Sequence, residues 1–251
     1  MRMDAPVGGI TEGSRRYDAV LLDMGYTLVY FQPTTEEIIH RALQAIGVER
    51  SPHEIYVAEE AAYADETRDA ASATFPATLE YDRESQRAFE RNLLTRLRVP
   101  AEPATLKAFA TELRSWYERP GVMHTYPEVV PILATLRQLG YRLAIVSNWS
   151  WNLRQRVVQV GLEHFFEVIW ASAYAGCSKP HPAIFHQTLA QMQPAPPPGR
   201  ALYVGDSYFH DVVGARSAGI AAALLDRDGR ADHPDCPVIR DLGGILALLG
   251  E

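Results

Sequence analysis

The sequence predicts an α/β fold: a parallel β-sheet interrupted early by an all-helical insert. Three observations carry that expectation. Short apolar runs at 19–22, 141–146, 166–170, 201–204 and 221–225 alternate with amphipathic helical segments. Between 34 and 119, apolar residues recur at helical spacing and no strand pattern appears. Several of the apolar runs end in polar residues capable of chemistry. Strands alternating with helices imply parallel pairing and right-handed crossovers.

The run at 19–22 has no helical period, is too short for a buried helix, and runs into Asp23 before the chain breaks at Gly25. It reads as a central strand buried on both faces. Residues 26–31 are aromatic and β-prone, suited to a small hairpin or flap. From Pro33 the texture changes. Ile38, Ala42, Leu43 and Ile46 lie at helical spacing, and Gly47 ends that segment. Residues 53–71, rich in Ala and Glu, read as a second helix. Ala88, Phe89, Leu93, Leu94 and Leu97 stripe a third. Leu106, Phe109, Leu113, Trp116 and Tyr117 stripe a fourth, which stops at Pro120-Gly121.

The α/β texture then resumes. A helix at 129–139 leads to the strand 141–146, which ends at Ser147-Asn148. A helix at 152–160 stops at Gly161, and the strand 166–170 follows. A helix at 182–193 precedes the strand 201–204, which runs into Gly205-Asp206-Ser207. A helix at 209–218, the strand 221–225 and a short helix at 245–249 complete the chain. The expected division is a Rossmann-like core of 17–32 plus 121–251, a helical cap of 33–120, and a loose tail over 1–16. No internal repeat is visible.

The chain's 251 residues suffice for such a core plus insert. A net charge of -7 with no basic cluster argues against nucleic-acid or anionic-membrane partners. Two cysteines, Cys177 and Cys236, lack partner spacing, which excludes a disulfide framework and a cysteine zinc site. No apolar run reaches the ~18 residues a membrane helix needs. The first sixteen residues lack the apolar core of a secretory signal. A soluble, cytoplasmic protein is expected.

Parallel strands bring their C-terminal ends to one edge, so Asp23, Ser147 and Asp206 converge there, with Asp211 close behind. Carboxylates that close repel and raise each other's pKa unless a cation sits among them. Oxygen-only donors suit Mg²⁺ rather than zinc. Helix capping explains Asp206 or Asp211 singly, but not all three carboxylates. Lys179 is the only Lys or Arg from Gly161 to Gln193, and Pro180 fixes the backbone beside it. It can pair with a carboxylate and a bound anion together, where a surface lysine would only be solvated. Ser147 offers a hydroxyl donor, and backbone N–H groups after the strand add others. Together these groups make a phosphoryl-transfer site, with Asp23 as the attacking carboxylate.

The ordered set Asp23 to Thr27, Ser147, Lys179, and Gly205-Asp206 with Asp211 resembles the motifs of the haloacid dehalogenase (HAD) superfamily. The match covers residues 17–249, with a helical cap inserted after the first motif. The resemblance implies that Asp23 is the nucleophile. Ser147 and Lys179 would hold the phosphoryl group, with Thr27 and Asn148 as further substrate contacts. Asp206, helped by Asp211, would bind Mg²⁺ with Asp23 and the backbone carbonyl of Gly25.

One departure matters. Phosphatases of this superfamily carry a second aspartate two residues after the nucleophile, and here that position is Gly25. General acid–base catalysis contributes ~10²–10⁴ in rate, so the loss weighs on alkyl phosphates. It weighs less on acyl phosphates or phenolic esters, whose leaving groups depart unaided. Tyr26, His40, Asp65 and Glu66 are possible substitutes, each with an ordinary packing or solvated role instead. The true dehalogenases resemble this chain in lacking that aspartate, and Ser147-Asn148 resembles their second motif. They have Ser-x-Asn where this chain has Asp206-Ser207-Tyr208.

The expected function is therefore a Mg²⁺-dependent phosphatase acting on a small phosphorylated metabolite, a phosphate ester or acyl phosphate. A 2-haloacid dehalogenase ranks second. A catalytically weakened phospho-ligand or partner-binding protein ranks third, on Gly25 alone. Specificity is expected from the cap, through Arg68 or another cap arginine. Trp149, Trp151 and Tyr174 either line the entrance or pack between core and cap. Hinges are expected near Gln32-Pro33 and Pro120-Gly121.

Overall fold

The computed structural model describes residues 15–232 and 235–251. In chain order, β1 (Ala19–Leu22) and a short β2 (Val29–Phe31) precede four helices: α1 (Thr35–Ala45), α2 (Pro52–Thr67), α3 (Leu79–Arg96) and α4 (Pro103–Tyr117). After these come β3 (Met123–Thr125), α5 (Val129–Gln138), β4 (Arg142–Ser147), α6 (Leu153–Gln159), β5 (Val168–Ala171), α7 (Ser172–Ala175) and α8 (Pro182–Gln191). The chain closes with β6 (Ala201–Gly205), a π-type turn over Tyr208–Val213, α9 (Gly214–Ser217), β7 (Ala221–Leu225), β8 (Val238–Ile239) and α10 (Gly244–Leu249).

Six strands form one sheet in the order β5-β4-β1-β6-β7-β8, and every ladder is parallel. β1 is central because all four of its residues are apolar and fully buried, which requires cover on both faces. Its side chains alternate between two cores. Val20 and Leu22 pack with Leu133, Leu136, Leu143 and Ile145. Ala19 and Leu21 pack with Ile184, Phe185, Leu189 and Tyr203. The chain runs outward through β4 and β5, then returns across β1 to β6. That reversal of winding opens a crevice at the C-terminal end of β1, where open α/β sheets bind ligands.

The helices α1–α4 bury a separate apolar cluster that includes Ile38, Leu43, Ile55, Leu93, Leu94 and Phe109. Two of them start on reciprocal caps. Thr34 and Glu37 exchange bonds at the head of α1, and Ser51 and Glu54 do so at α2, where Pro52 fills the first turn.

Two expectations are corrected. Of the hairpin or flap expected at residues 26–31, a self-contained hairpin is not formed: the chain makes a tight turn, Tyr26 N–H to the Val29 carbonyl at 2.7 Å, and β2 then pairs antiparallel with β3, Val29 facing Thr125, so the two connectors to the helical insert bond to each other. Pairing across almost a hundred residues leaves no local pattern to read. The segment expected as a helix at 209–218 opens as a π-type turn, with the Ser207 carbonyl accepting from both Asp211 N–H (2.9 Å) and Val212 N–H (3.4 Å). β3 and β8 are too short to show alternation in sequence. The expected tail falls outside the described residues up to residue 14. Arg15 stacks over Tyr141 at 5.0 Å, and its carbonyl accepts from Arg200. Among the described residues, no helix is long and apolar enough to cross a membrane.

Candidate active site

Three adjacent strands deliver the polar residues. Asp23 follows β1, with its N–H bonded to the Val204 carbonyl at 3.0 Å. Ser147 ends β4, and Asp206 follows β6. Lys179 arrives from the loop between α7 and α8, nearly fully buried. Its Nζ donates to Asp23 Oδ1 at 2.6 Å, to Asp211 Oδ1 at 2.6 Å and to the Tyr203 hydroxyl at 2.9 Å. Tyr203 in turn donates to Asp211 Oδ1 at 2.8 Å and lies 3.0 Å from the Val146 carbonyl. The other Asp211 oxygen accepts the Ser207 N–H at 2.9 Å. Gly205 makes this packing possible, since a Cβ there would stand 2.3 Å from the Asp211 carboxyl carbon. The buried Ser147 hydroxyl lies near enough to favour the charged form of the Asp23 carboxyl.

The charges do not balance. Asp23, Asp206 and Asp211 bring ligand oxygens within 4.8 Å of one another, and among the described residues only Lys179 pairs with them as a cation. Burial raises the Asp23 carboxyl, Lys179 offsets part of that rise, and Asp211 adds to it. Asp206 is exposed at its residue surface, yet enclosure by the surrounding protein and the charges of Asp23 and Asp211 push it up to about 8. Burial works against the Lys179 ammonium, but Asp211 and Asp23 outweigh it and hold the ammonium well above its ordinary range. An oxygen-donor set with surplus negative charge fits a hard divalent cation.

The turn after Asp23 is held from outside. Tyr26 takes a left-handed conformation, φ 53°, which costs a non-glycine residue of order 1–3 kcal/mol. Arg227 braces it by donating to the Tyr26 carbonyl (3.2 Å) and the Thr27 carbonyl (2.8 Å), while pairing with Glu128 at 2.7 Å. Thr27 is buried, and its hydroxyl reaches Asp206 Oδ1 at 3.5 Å. On the side where residue 25 would carry a side chain, Trp149 stands 3.6 Å from the position of a Cβ.

A cleft of about 550 Å³ separates the sheet edge from the helices, lined by Glu59, Tyr63, Tyr81, Asn148, Trp149 and Arg156 among others. α2 faces it closely. The Tyr63 ring lies 5.4 Å from that of His210, and Tyr63 and Asn148 line the same cleft. A larger recess, about 1000 Å³, opens on the outer side of α1 beside His40, Arg41 and Tyr56, away from the carboxylates.

Asp23, Ser147, Lys179, Asp206, Asp211 and Thr27 thus come together. Asn148 meets them by clamping the Lys179 backbone. Other candidates do not join. His40 bonds the Arg50 carbonyl at 3.0 Å in the outer recess. Asp65 pairs with Arg68, Arg96 and Asn92. Arg68 is exposed there, and the arginines that line the cleft are Arg114 and Arg156. Trp149 lines the cleft, whereas Trp151 and Tyr174 pack on each other, rings 5.2 Å apart. Sequence reasoning missed Tyr203, Arg227, Glu59 and Tyr63. The first reads as an ordinary strand aromatic. The others announce themselves only as polar residues of a loop or an Ala- and Glu-rich helix.

Residues 17–219 match the family model of haloacid dehalogenase-like hydrolases. The glyceraldehyde 3-phosphate phosphatase of Methanopyrus kandleri is 28% identical over 214 residues, covering 83% of this chain and 84% of that one. The phosphoserine phosphatase of Thermus thermophilus is 38% identical over 111 residues, 44% of each chain, so the chain spans less than half of that relative. The magnesium-bound HAD-hydrolase YfnB of Bacillus subtilis superimposes with a TM-score of 0.74 over 94% of this chain and 100% of that one. At 20% identity, that likeness is one of fold.

Proposed function

For this chain, which belongs to the haloacid dehalogenase-like hydrolases, we propose a Mg²⁺-dependent phosphatase that acts on a small phosphorylated metabolite through an aspartyl phosphate on Asp23. The surplus of carboxylate over ammonium at the sheet edge carries this reading. Attack on a carbon–halogen bond needs one carboxylate and leaves Asp206 without a role. The phosphatases among the relatives support the same choice.

Asp23 Oδ attacks phosphorus in line with the departing oxygen, and Lys179 with Ser147 holds the transferring group. Asp23, Asp206, Asp211 and the Gly25 carbonyl would hold the ion, with Asp211 sharing its carboxylate with Lys179. Bound there, Mg²⁺ supplies neutralising charge to the phosphoryl oxygens. Water then cleaves the acyl phosphate. Thr27 borders the same pocket through Asp206. A cytoplasmic setting belongs to this reading, and two buried cysteines accord with a reducing compartment.

The test is release of phosphate from p-nitrophenyl phosphate with and without Mg²⁺, beside halide release from 2-chloropropionate. Metal-dependent phosphate release that disappears in Asp23→Asn is expected. Metal-independent halide release overturns the reading in favour of a dehalogenase. Silence on both overturns it in favour of a binding protein.

A further inference from the structure

We propose that Glu59, brought over the cleft by α2, gives the leaving group the proton that no side chain at position 25 can give. The inference rests on the phosphatase reading above.

Position 25 has no acid, and its side-chain direction abuts the Trp149 indole, whose Nε1 is tied to Asn152 at 3.0 Å. For a leaving group that needs a proton, the donor has to come from another part of the cleft. Glu59, Tyr63 and Glu66 all line it, at the i, i+4, i+7 spacing that puts them on one face of α2. Tyr63 marks where that face meets the core, between His210 and Asn148, and it feels the charges of Lys179 and Asp23. Glu59 lies one turn back, ~5–6 Å along the face. From there its charge, like those of Glu36 and Asp206, is felt by Tyr26, the residue that follows the vacant position. Glu59 is thus on the side of the cleft where the missing acid belongs.

Its surroundings suit the task. Glu66 accepts from Ser85, and Asp82 from Gln86. Glu59 has no hydrogen-bond or ion-pair partner among the described residues. The charged groups acting on it are Glu36 of α1 and Glu60 of α2, both acidic, and Tyr26 and Tyr117 stand near with phenols. Burial, Glu36 and Glu60 raise the Glu59 carboxyl to about 7, near the pH at which an acid donates in one step and accepts in the next.

The steps balance. As the Asp23 oxygen bonds to phosphorus, the ester P–O bond breaks and its electron pair takes the Glu59 proton, releasing an alcohol. The Glu59 carboxylate then removes a proton from the water that attacks the aspartyl phosphate. Hydrogen phosphate leaves, and both carboxyl groups return to their starting states.

The experiment measures kcat/KM for phosphate monoesters whose leaving alcohols range from nitrophenol to simple alkyl alcohols. The wild type should show a shallow dependence on leaving-group acidity. Glu59→Gln should steepen it, lowering the alkyl-to-aryl rate ratio by ~10²–10⁴. A steep dependence in the wild type overturns the inference even if the variant fails to fold. An unchanged ratio in a folded Glu59→Gln also overturns it while leaving the phosphatase reading intact. Absence of phosphate release from every ester in the wild type removes both.

Discussion

The Asn148 side-chain amide brackets the backbone of Lys179. Its Nδ2 donates to the Lys179 carbonyl at 3.0 Å, and its Oδ1 accepts the Lys179 N–H at 2.7 Å. A residue at the end of β4 thereby sets the height of a lysine held on a distant loop. Asn148→Ala removes both bonds. Stability should fall by about 1–3 kcal/mol in urea titration. Turnover should fall more steeply, since a misplacement of ~1 Å costs up to ~10²-fold. Unchanged turnover would show that Lys179 is positioned by its ion pairs alone.

Among the described residues, Lys179 is the sole cation paired with Asp23 and Asp211. In Lys179→Met two buried carboxylates lose their partner, a change that costs about 3–5 kcal/mol. The deficit in metal-free buffer should be largest near neutral pH. It should shrink as the pH falls and Asp23, whose carboxyl burial already raises, takes up a proton. A pH-independent difference in melting temperature would contradict this account.

Gly205 stands where a methyl group would meet the Asp211 carboxyl carbon at 2.3 Å. Gly205→Ala should destabilise by about 1–3 kcal/mol and separate Asp211 from Lys179, with loss of activity. Gly199 has nothing within 4 Å of its Cβ position, so Gly199→Ala provides the matched control. Equal melting temperatures for the two variants would refute the close-approach argument.

Arg227 holds Tyr26 at positive φ. Arg227→Ala should cost about 2 kcal/mol, because a charged fork to two carbonyls and to Glu128 is lost. Adding Tyr26→Gly should recover part of that loss by relieving the left-handed strain. Additive effects in the double variant would separate the brace from the strain.

The raised Glu59 carboxyl has a stability consequence of its own. Its folded value is about 7 against an ordinary 4.5, so the folded protein holds a proton there that the unfolded chain has released. Glu59 therefore contributes declining stability as pH rises from about 4.5 to 7. The Glu59→Gln variant, blind to that titration, should gain in melting temperature relative to the wild type between pH 5 and pH 8. A constant difference across that range would place Glu59 in solvent.

Much of this arrangement is legible in the chain. The all-apolar run of β1 is buried on both faces and can only be central. The runs of β4, β6 and β7 follow the same logic, and parallel winding then brings Asp23, Ser147 and Asp206 to one edge. The stripes of α1, α3 and α4 are periodic enough to mark the insert. The β2–β3 pairing, the π-type turn before α9 and the roles of Tyr203 and Arg227 are not legible. Each depends on a partner distant in sequence, and local periodicity carries no record of such partners.

The sequence by itself determined the sheet, the insert and which chemical groups reach the sheet edge, because burial and strand direction are set by local pattern. Only the tertiary structure decided how those groups share charge: Lys179 clasped between Asp23 and Asp211, Asp206 raised by both of those carboxylates, and Glu59 half-buried on the face of α2 that lines the cleft. Electrostatic coupling depends on distances of a few ångströms across the fold, and those distances exist only once the layers have packed.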